Sequence, residues 1–147
     1  MKLALGSDHA AFELKEELKK YLSINKYEYK DFGAYNEQSV DYPDYAEKVC
    51  EGILSGKFDR GVLLCGSGIG MSIAANKYKG IYAALVDNTF TAETARKHNN
   101  SNVLVLPGRI IGRDLAKAIL KIWIETEYEG GRHEKRLDKI KEIEGKI

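Results

Sequence analysis

Five times along this chain a short apolar run is followed by a loop and then by a stretch with helical apolar spacing. Strands that alternate with helices build βαβ units, and those units build a parallel sheet. Leu3-Ala4-Leu5 reads as the first strand. Gly6-Ser7-Asp8-His9 follows it, then a helix with Leu14, Leu18, Tyr21 and Leu22 on one stripe. Tyr27-Glu28-Tyr29 alternates and reads as strand two. Pro43 suits the first turn of a second helix. Its stripe is Tyr42, Ala46, Val49, Cys50 and Ile53, which makes Cys50 a core residue. Val62-Leu63-Leu64 reads as strand three, and its unbroken apolar character suits a strand covered on both faces. Ile81 to Val86 reads as strand four, followed by a short helix from Thr91 to Lys97. Val103 to Leu106 is strand five, closed by Pro107-Gly108-Arg109. A longer helix from about Gly112 to Glu127 turns Leu115, Ile119, Ile122 and Trp123 inward, and Gly130-Gly131 breaks it. A last charged helix, Arg132 to Glu144, carries Leu137, Ile140 and Ile143. These are too few for a core of its own, so the helix is expected to dock on a neighbouring subunit.

Right-handed crossovers then predict a doubly wound five-stranded parallel sheet, a Rossmann-like three-layer α/β sandwich. The 147 residues suffice for a single domain, 1–147, with a proper core. A net charge of +1 gives no electrostatic case for nucleic acid or an anionic membrane. No apolar run approaches the roughly 20 residues of a membrane helix. The first residues lack the apolar stretch of a secretion signal. Two cysteines, Cys50 and Cys65, make no disulfide framework and no zinc pattern, and free thiols suit a reducing cytoplasm.

In a doubly wound sheet, ligands sit beyond the carboxyl ends of the strands. Three motifs fall there: Ser7-Asp8-His9 after strand one, Cys65-Gly66-Ser67-Gly68-Ile69-Gly70 after strand three, and Arg109 after strand five. Glycine allows positive φ and lets backbone approach a ligand closely. A helix beginning after such a loop presents unpaired N–H groups to negative charge. The loop is therefore an expected anion cradle with a thiol at its lip, and that setting favours thiolate. It is no dinucleotide fingerprint, because Met71 stands where the third glycine belongs. It is no P-loop, because no lysine comes before Lys77. It is no cysteine-phosphatase loop either, because Met71 also fills the arginine position. A plain βα turn with a buried, inert cysteine remains the alternative.

The chain has three histidines. His9 falls at the functional edge. His98 and His133 read from spacing alone as helix-end or surface histidines. No His-x₃-His or Cys-x₂-Cys spacing occurs, so no metal is expected. Arg132 and Arg136 share a helix face. A solvated charged face explains them, but a ligand phosphate would need cations, and Arg109, Arg132, Arg136 and His9 are the natural set.

Taken together the motifs resemble type B ribose-5-phosphate isomerases, in the family that also holds galactose-6-phosphate isomerase subunits. The resemblance rests on Gly6-Ser7-Asp8-His9, Asp41-Tyr42-Pro43, the run Cys65 to Lys77, Arg96-Lys97-His98-Asn99, and Tyr128 through Arg136. It covers nearly the whole chain. It implies interconversion of ribose 5-phosphate and ribulose 5-phosphate, without metal or cofactor. By matching position, Cys65 would remove the C2 proton and His98 would help open the furanose ring, with Ser67 and Asp8 in the catalytic set. Asp8, His9 and Tyr42 would contact the substrate. The backbone from Gly66 through Ser67, Gly68, Ile69 and Gly70 would hold the enediolate, and Asn99, Arg109, Arg132 and Arg136 would bind substrate. Residue 67 is serine where many members have threonine, which keeps the hydroxyl but alters pocket shape.

Topology adds one expectation. Cys65 follows a strand and His98 precedes one, so they belong at opposite edges of the sheet, about 17 Å apart. If both act on one sugar, a homodimer with shared sites is expected unless the fourth helix or its following loop bends to bring His98 across, and a dimer of dimers could extend it. The rivals are an isomerase of a six-carbon sugar phosphate (allose 6-phosphate or galactose 6-phosphate) and a non-catalytic phosphate-binding or receiver-like module.

Overall fold

A computed structural model describes residues 1–147. The strands are β1 (Lys2–Ser7), β2 (Glu28–Asp31), β3 (Arg60–Cys65), β4 (Ala83–Leu85) and β5 (Val103–Pro107). All pairings are parallel and the order is β2-β1-β3-β5-β4. The helices are α1 (Phe12–Ile24), α2 (Tyr42–Leu54), α3 (Ile69–Ala75), α4 (Thr89–Lys97), α5 (Arg113–Glu125) and α6 (Arg132–Glu144). A single 3₁₀ turn, His9–Ala11, precedes α1.

The two faces of the sheet follow from the period of two along a strand. Leu3, Leu5, Val62, Leu64, Leu104 and Leu106 point one way, into a core closed by α1, α4 and α5 with Trp123 at its centre. Ala4, Leu63, Cys65, Val103 and Val105 point the other way, toward α2 and α3. Cys50 is fully buried on that second face, and burial pushes its thiol up to about 12. Helices on both faces are what a doubly wound sheet requires.

Most expected elements stand within two or three residues of their places, and three expectations need correction. Strand four shrinks to Ala83–Leu85, an edge strand paired on one side only. Leu115 does not face inward; it is half-exposed near the start of α5, where the buried stripe runs through Ala116, Ile119, Leu120 and Trp123. The last helix docks in part on its own chain. Leu137 is buried near Tyr82, Ala84 and Ala95, and Glu144 accepts from the Gly80 N–H at 3.1 Å. Ile143 stays exposed on its far side.

Beneath the carboxyl edge lies a buried ion pair. Lys15 on α1 has no exposed side-chain surface; its ammonium donates to Asp31 at 2.6 Å and to the Ala34 carbonyl. Lys19 adds a second donor to Asp31 at 2.9 Å. Burial alone would raise the Asp31 carboxyl, but the hydrogen bonds from Lys15, Lys19 and the Gly33 N–H hold it below the usual range. Burial pulls Lys15 down from the usual ammonium value. The anchored Gly33–Ala34 segment pairs with both backbone groups of Ser7, the residue before Asp8.

Candidate active site

Because β1, β3 and β5 are neighbours, the loops after them meet at one edge. Backbone hydrogen bonds lock them together. Asp8 N–H donates to the Leu64 carbonyl at 3.2 Å, Gly108 to Cys65 at 2.9 Å, and Arg109 to Gly66 at 2.9 Å. The result is a pocket of about 410 Å³ lined by Asp8, His9, Ala10, Tyr42, Cys65, Gly66, Ser67, Gly70, Arg109 and Ile110.

Each lining group has a local reason for its position. Asp8 is buried, and its carboxylate caps the 3₁₀ turn by accepting from Ala11 N–H at 3.2 Å. His9 Nδ1 accepts from Val40 N–H at 3.2 Å. In the neutral ring that leaves the proton on Nε2, available to an acceptor. Cys65 ends β3 with only 4% exposure. Gly68 takes φ +78°, which glycine adopts without strain. At Gly66 and Gly70 close approach rather than φ restricts the residue, more tightly at Gly70 than at Gly66. A Cβ on Gly66 would lie 3.2 Å from the Arg109 side chain, and one on Gly70 would meet the Tyr42 ring at 2.5 Å. Tyr42 thus leaves the apolar stripe of its helix, where the sequence pattern put it, and roofs the glycine loop instead.

The loop is rich in free donors. The N–H groups of Gly66, Ser67, Gly68 and Gly70 have no acceptor within the chain, and that of Ile69 donates to Ser67 Oγ at 3.2 Å. The following helix, α3, has only seven residues. The cradle therefore rests on the loop's own N–H groups more than on a macrodipole.

Six of the expected site residues do not line this pocket: Gly68 and Ile69 lie in its loop but off the lining, and His98, Asn99, Arg132 and Arg136 lie elsewhere. His98 caps the end of α4, ahead of β5. The start of β5 pairs with Gly61, four residues before Cys65 along β3, which is about 13 Å at the strand rise. His98 gathers a second cluster of its own. Its ring stacks on His133 at 4.3 Å between centroids and 14° between planes. Glu129 Oε2 lies 3.6 Å from His133 Nε2. Burial, then His98, Arg132 and Arg136, lower the His133 pKa against the pull of Glu129. His133 is only 5% exposed, contrary to the surface position read from its charged neighbours.

Residues with no expected site role hold this second cluster. Arg96 is buried and donates to the carbonyls of Ser101 and Thr126 and to Asn100 Oδ1. Burial, with repulsion from Arg60, lowers its pKa to about 10. Trp123 Nε1 donates to Ser101 Oγ at 2.7 Å. These bonds fasten the turn after α4 to the end of α5. The signal in the sequence is Arg96 within the Arg96-Lys97-His98-Asn99 motif, together with an inward Trp123.

Residues 3–140 match the ribose/galactose isomerase family. A crystal structure of a ribose 5-phosphate isomerase from Thermotoga maritima superposes with a TM-score of 0.94 at 57% identity, covering 96% of this chain and 97% of that one. Ribose-5-phosphate isomerase B of Escherichia coli is 42% identical over 97% of this chain and 96% of its own. D-erythrulose-4-phosphate isomerase of Pectobacterium atrosepticum is 41% identical, over 95% and 93%. Matched to the family over residues 3–140 and to these relatives over nearly their whole length, the chain belongs to the ribose/galactose isomerase family.

Proposed function

We propose that the chain interconverts ribose 5-phosphate and ribulose 5-phosphate through an enediolate, using Cys65 as the base. The observation that carries this reading is the placement of Cys65 beside four loop N–H groups that no protein acceptor satisfies. The Cys65 thiolate takes the C2 proton and the thiol returns it to C1. The charge that builds on the sugar oxygens is met by the N–H groups of Gly66, Ser67, Gly68 and Gly70. One preorganised donor of this kind contributes about 2.7–4 kcal/mol to an oxyanion. Ser67 and Asp8 hold the hydroxyls between which the second proton moves. His9 and Arg109 supply positive or N–H groups on the same wall.

His98 is the acid that opens the furanose, and it comes from a second copy of the chain together with Asn99, Arg132 and Arg136. The separation of the two clusters supports this reading. So does an apolar face next to the glycine loop, where Ile69, Ile73, Leu85 and Phe90 are 41–72% exposed. Such a patch marks an interface. A homodimer would then hold two equivalent shared sites, with the outer side of α6 free for the same neighbour. No helix is long and apolar enough to cross a membrane, and the two free thiols suit a cytoplasmic enzyme.

The test is direct: purified protein with ribose 5-phosphate should yield ketose, and Cys65→Ala should not. Parallel rates on allose 6-phosphate and D-erythrulose 4-phosphate rank the substrates. No ketose from ribose 5-phosphate, with turnover of another sugar phosphate, would reassign the substrate and keep the chemistry.

A further inference from the structure

His98, Glu129 and His133 come from three places: the end of α4, the loop before α6, and the first turn of α6. One nitrogen or oxygen of each lies within 4.8 Å of the other two. The His133 side chain is 6% exposed, and its Nε2 has no hydrogen-bond partner. It points toward Glu129 Oε2 at 3.6 Å. Buried polar nitrogens are nearly always partnered, so an orphan marks a place where something else binds. Two imidazoles and a carboxylate form a donor set for borderline divalent transition metals, zinc above all. Glu129 and His133 stand four residues apart, but only the fold brings His98 to them.

We propose that His98, Glu129 and His133 form a zinc site, and that zinc bound there silences the enzyme by occupying His98. The second half of the proposal rests on the catalytic role assigned to His98 above. Zinc–ligand bonds of about 2 Å put donors roughly 3.3 Å apart, so the triad must close around the ion. Glu129 is half-exposed and free to move. The stacked rings direct their lone pairs side by side, so one ring must turn. His98, only partly buried, is the ring able to do so. A water completes the tetrahedron. Arg132 and Arg136 flank the site on α6 and oppose a cation, so binding should be readily reversed by a chelator.

Calorimetric titration of chelator-treated protein with zinc chloride is the test. Wild type should take up one zinc per chain. Glu129→Gln and His133→Ala should each weaken uptake at least tenfold, while Cys65→Ser binds as wild type does. Glu129→Gln alters an exposed side chain, so it keeps the test valid should His133→Ala misfold. No uptake by wild type, undiminished uptake by Glu129→Gln, or loss of uptake in Cys65→Ser would each overturn the site. In the activity arm, zinc should stop ribose 5-phosphate turnover by wild type, EDTA should restore it, and Glu129→Gln should turn over substrate in zinc. Zinc uptake without inhibition would overturn the silencing and leave the metal site standing. Zinc uptake by a protein that never turns over ribose 5-phosphate would instead count against the proposed function.

Discussion

The pocket at the carboxyl edge and the histidine cluster at the amino edge are built in opposite ways. The pocket is shaped mainly by backbone. Its donors are loop N–H groups, its shape comes from absent Cβ atoms, and its positions are set by the register of β1, β3 and β5. The cluster is made of side chains. Its groups sit at helix ends and are held by the buried Arg96 and by the His98–His133 stack. Backbone donors suit charge that appears on oxygen during a reaction, because they cost no reorganisation. Titratable side chains suit proton delivery. Under the proposed mechanism the pocket supplies the base and the oxyanion donors, and the cluster supplies the acid that opens the ring.

The strongest way to break that comparison is to mix inactive halves. Cys65→Ala and His98→Ala should each lower kcat by about 10²–10⁴-fold, with unchanged melting curves. After subunit exchange, a heterodimer should carry one site with both defects and one with neither. Each heterodimer should then recover about half of a wild-type dimer's activity. No recovery despite demonstrated exchange would put both groups to work within one chain.

Next in size is the scaffold under the pocket. Asp31→Asn removes the counter-ion of a buried ammonium, a loss of about 3–5 kcal/mol when uncompensated. Lys15 sheds its proton more readily than an exposed lysine, so chemical denaturation should show the lower end of that range. The pH dependence carries a sign. A depressed Asp31 stabilises the fold above the ordinary carboxylate pKa of about 4, and that contribution fades as pH falls below it. The stability gap between wild type and Asp31→Asn should therefore narrow in acid. A gap that widened would mean the pair opposes folding.

Arg136→Ala sharpens the comparison from the other side. If the amino-edge cluster meets the phosphate, KM for ribose 5-phosphate should rise about 10–100-fold, the value of one charge-assisted hydrogen bond. Residual turnover of free ribose should hardly change. Equal losses on both sugars would return Arg136 to the solvated face of its helix. The smallest effect belongs to Gly70→Ala, whose new methyl must displace the Tyr42 ring. Overpacking of this kind costs about 1–3 kcal/mol. Because Tyr42 lies at the rim, we expect the low end in melting experiments, with a rise in KM.

The contrast also governs what could be read in advance. Val62-Leu63-Leu64 followed by Cys65-Gly66 and two further glycines announces a buried strand and a ligand loop, because strand periodicity and glycine act over a few residues. The placement of β5 between β3 and β4 was not legible, since it depends on which edge a crossover helix packs against. The His133 surface reading failed for a related reason. Arg132, Glu134 and Arg136 surround it in sequence, and its burial comes from His98, a neighbour in space only. Leu115 failed because helical spacing gives a stripe but not its angular limits; Ala116 took the inward position.

The two backbone bonds from Gly108 to Cys65 and from Arg109 to Gly66 have a metrical consequence. They fasten the strand-three and strand-five loops at adjacent positions, so the backbones of Cys65 and Arg109 ride on one frame. Under the proposed mechanism, an anion paired with Arg109 would share that frame with the group that takes the C2 proton. On that reading the site would gauge the distance between a bound anion and the reacting carbon. Sugars of another length must fold or stretch to fit, because the frame itself does not slide.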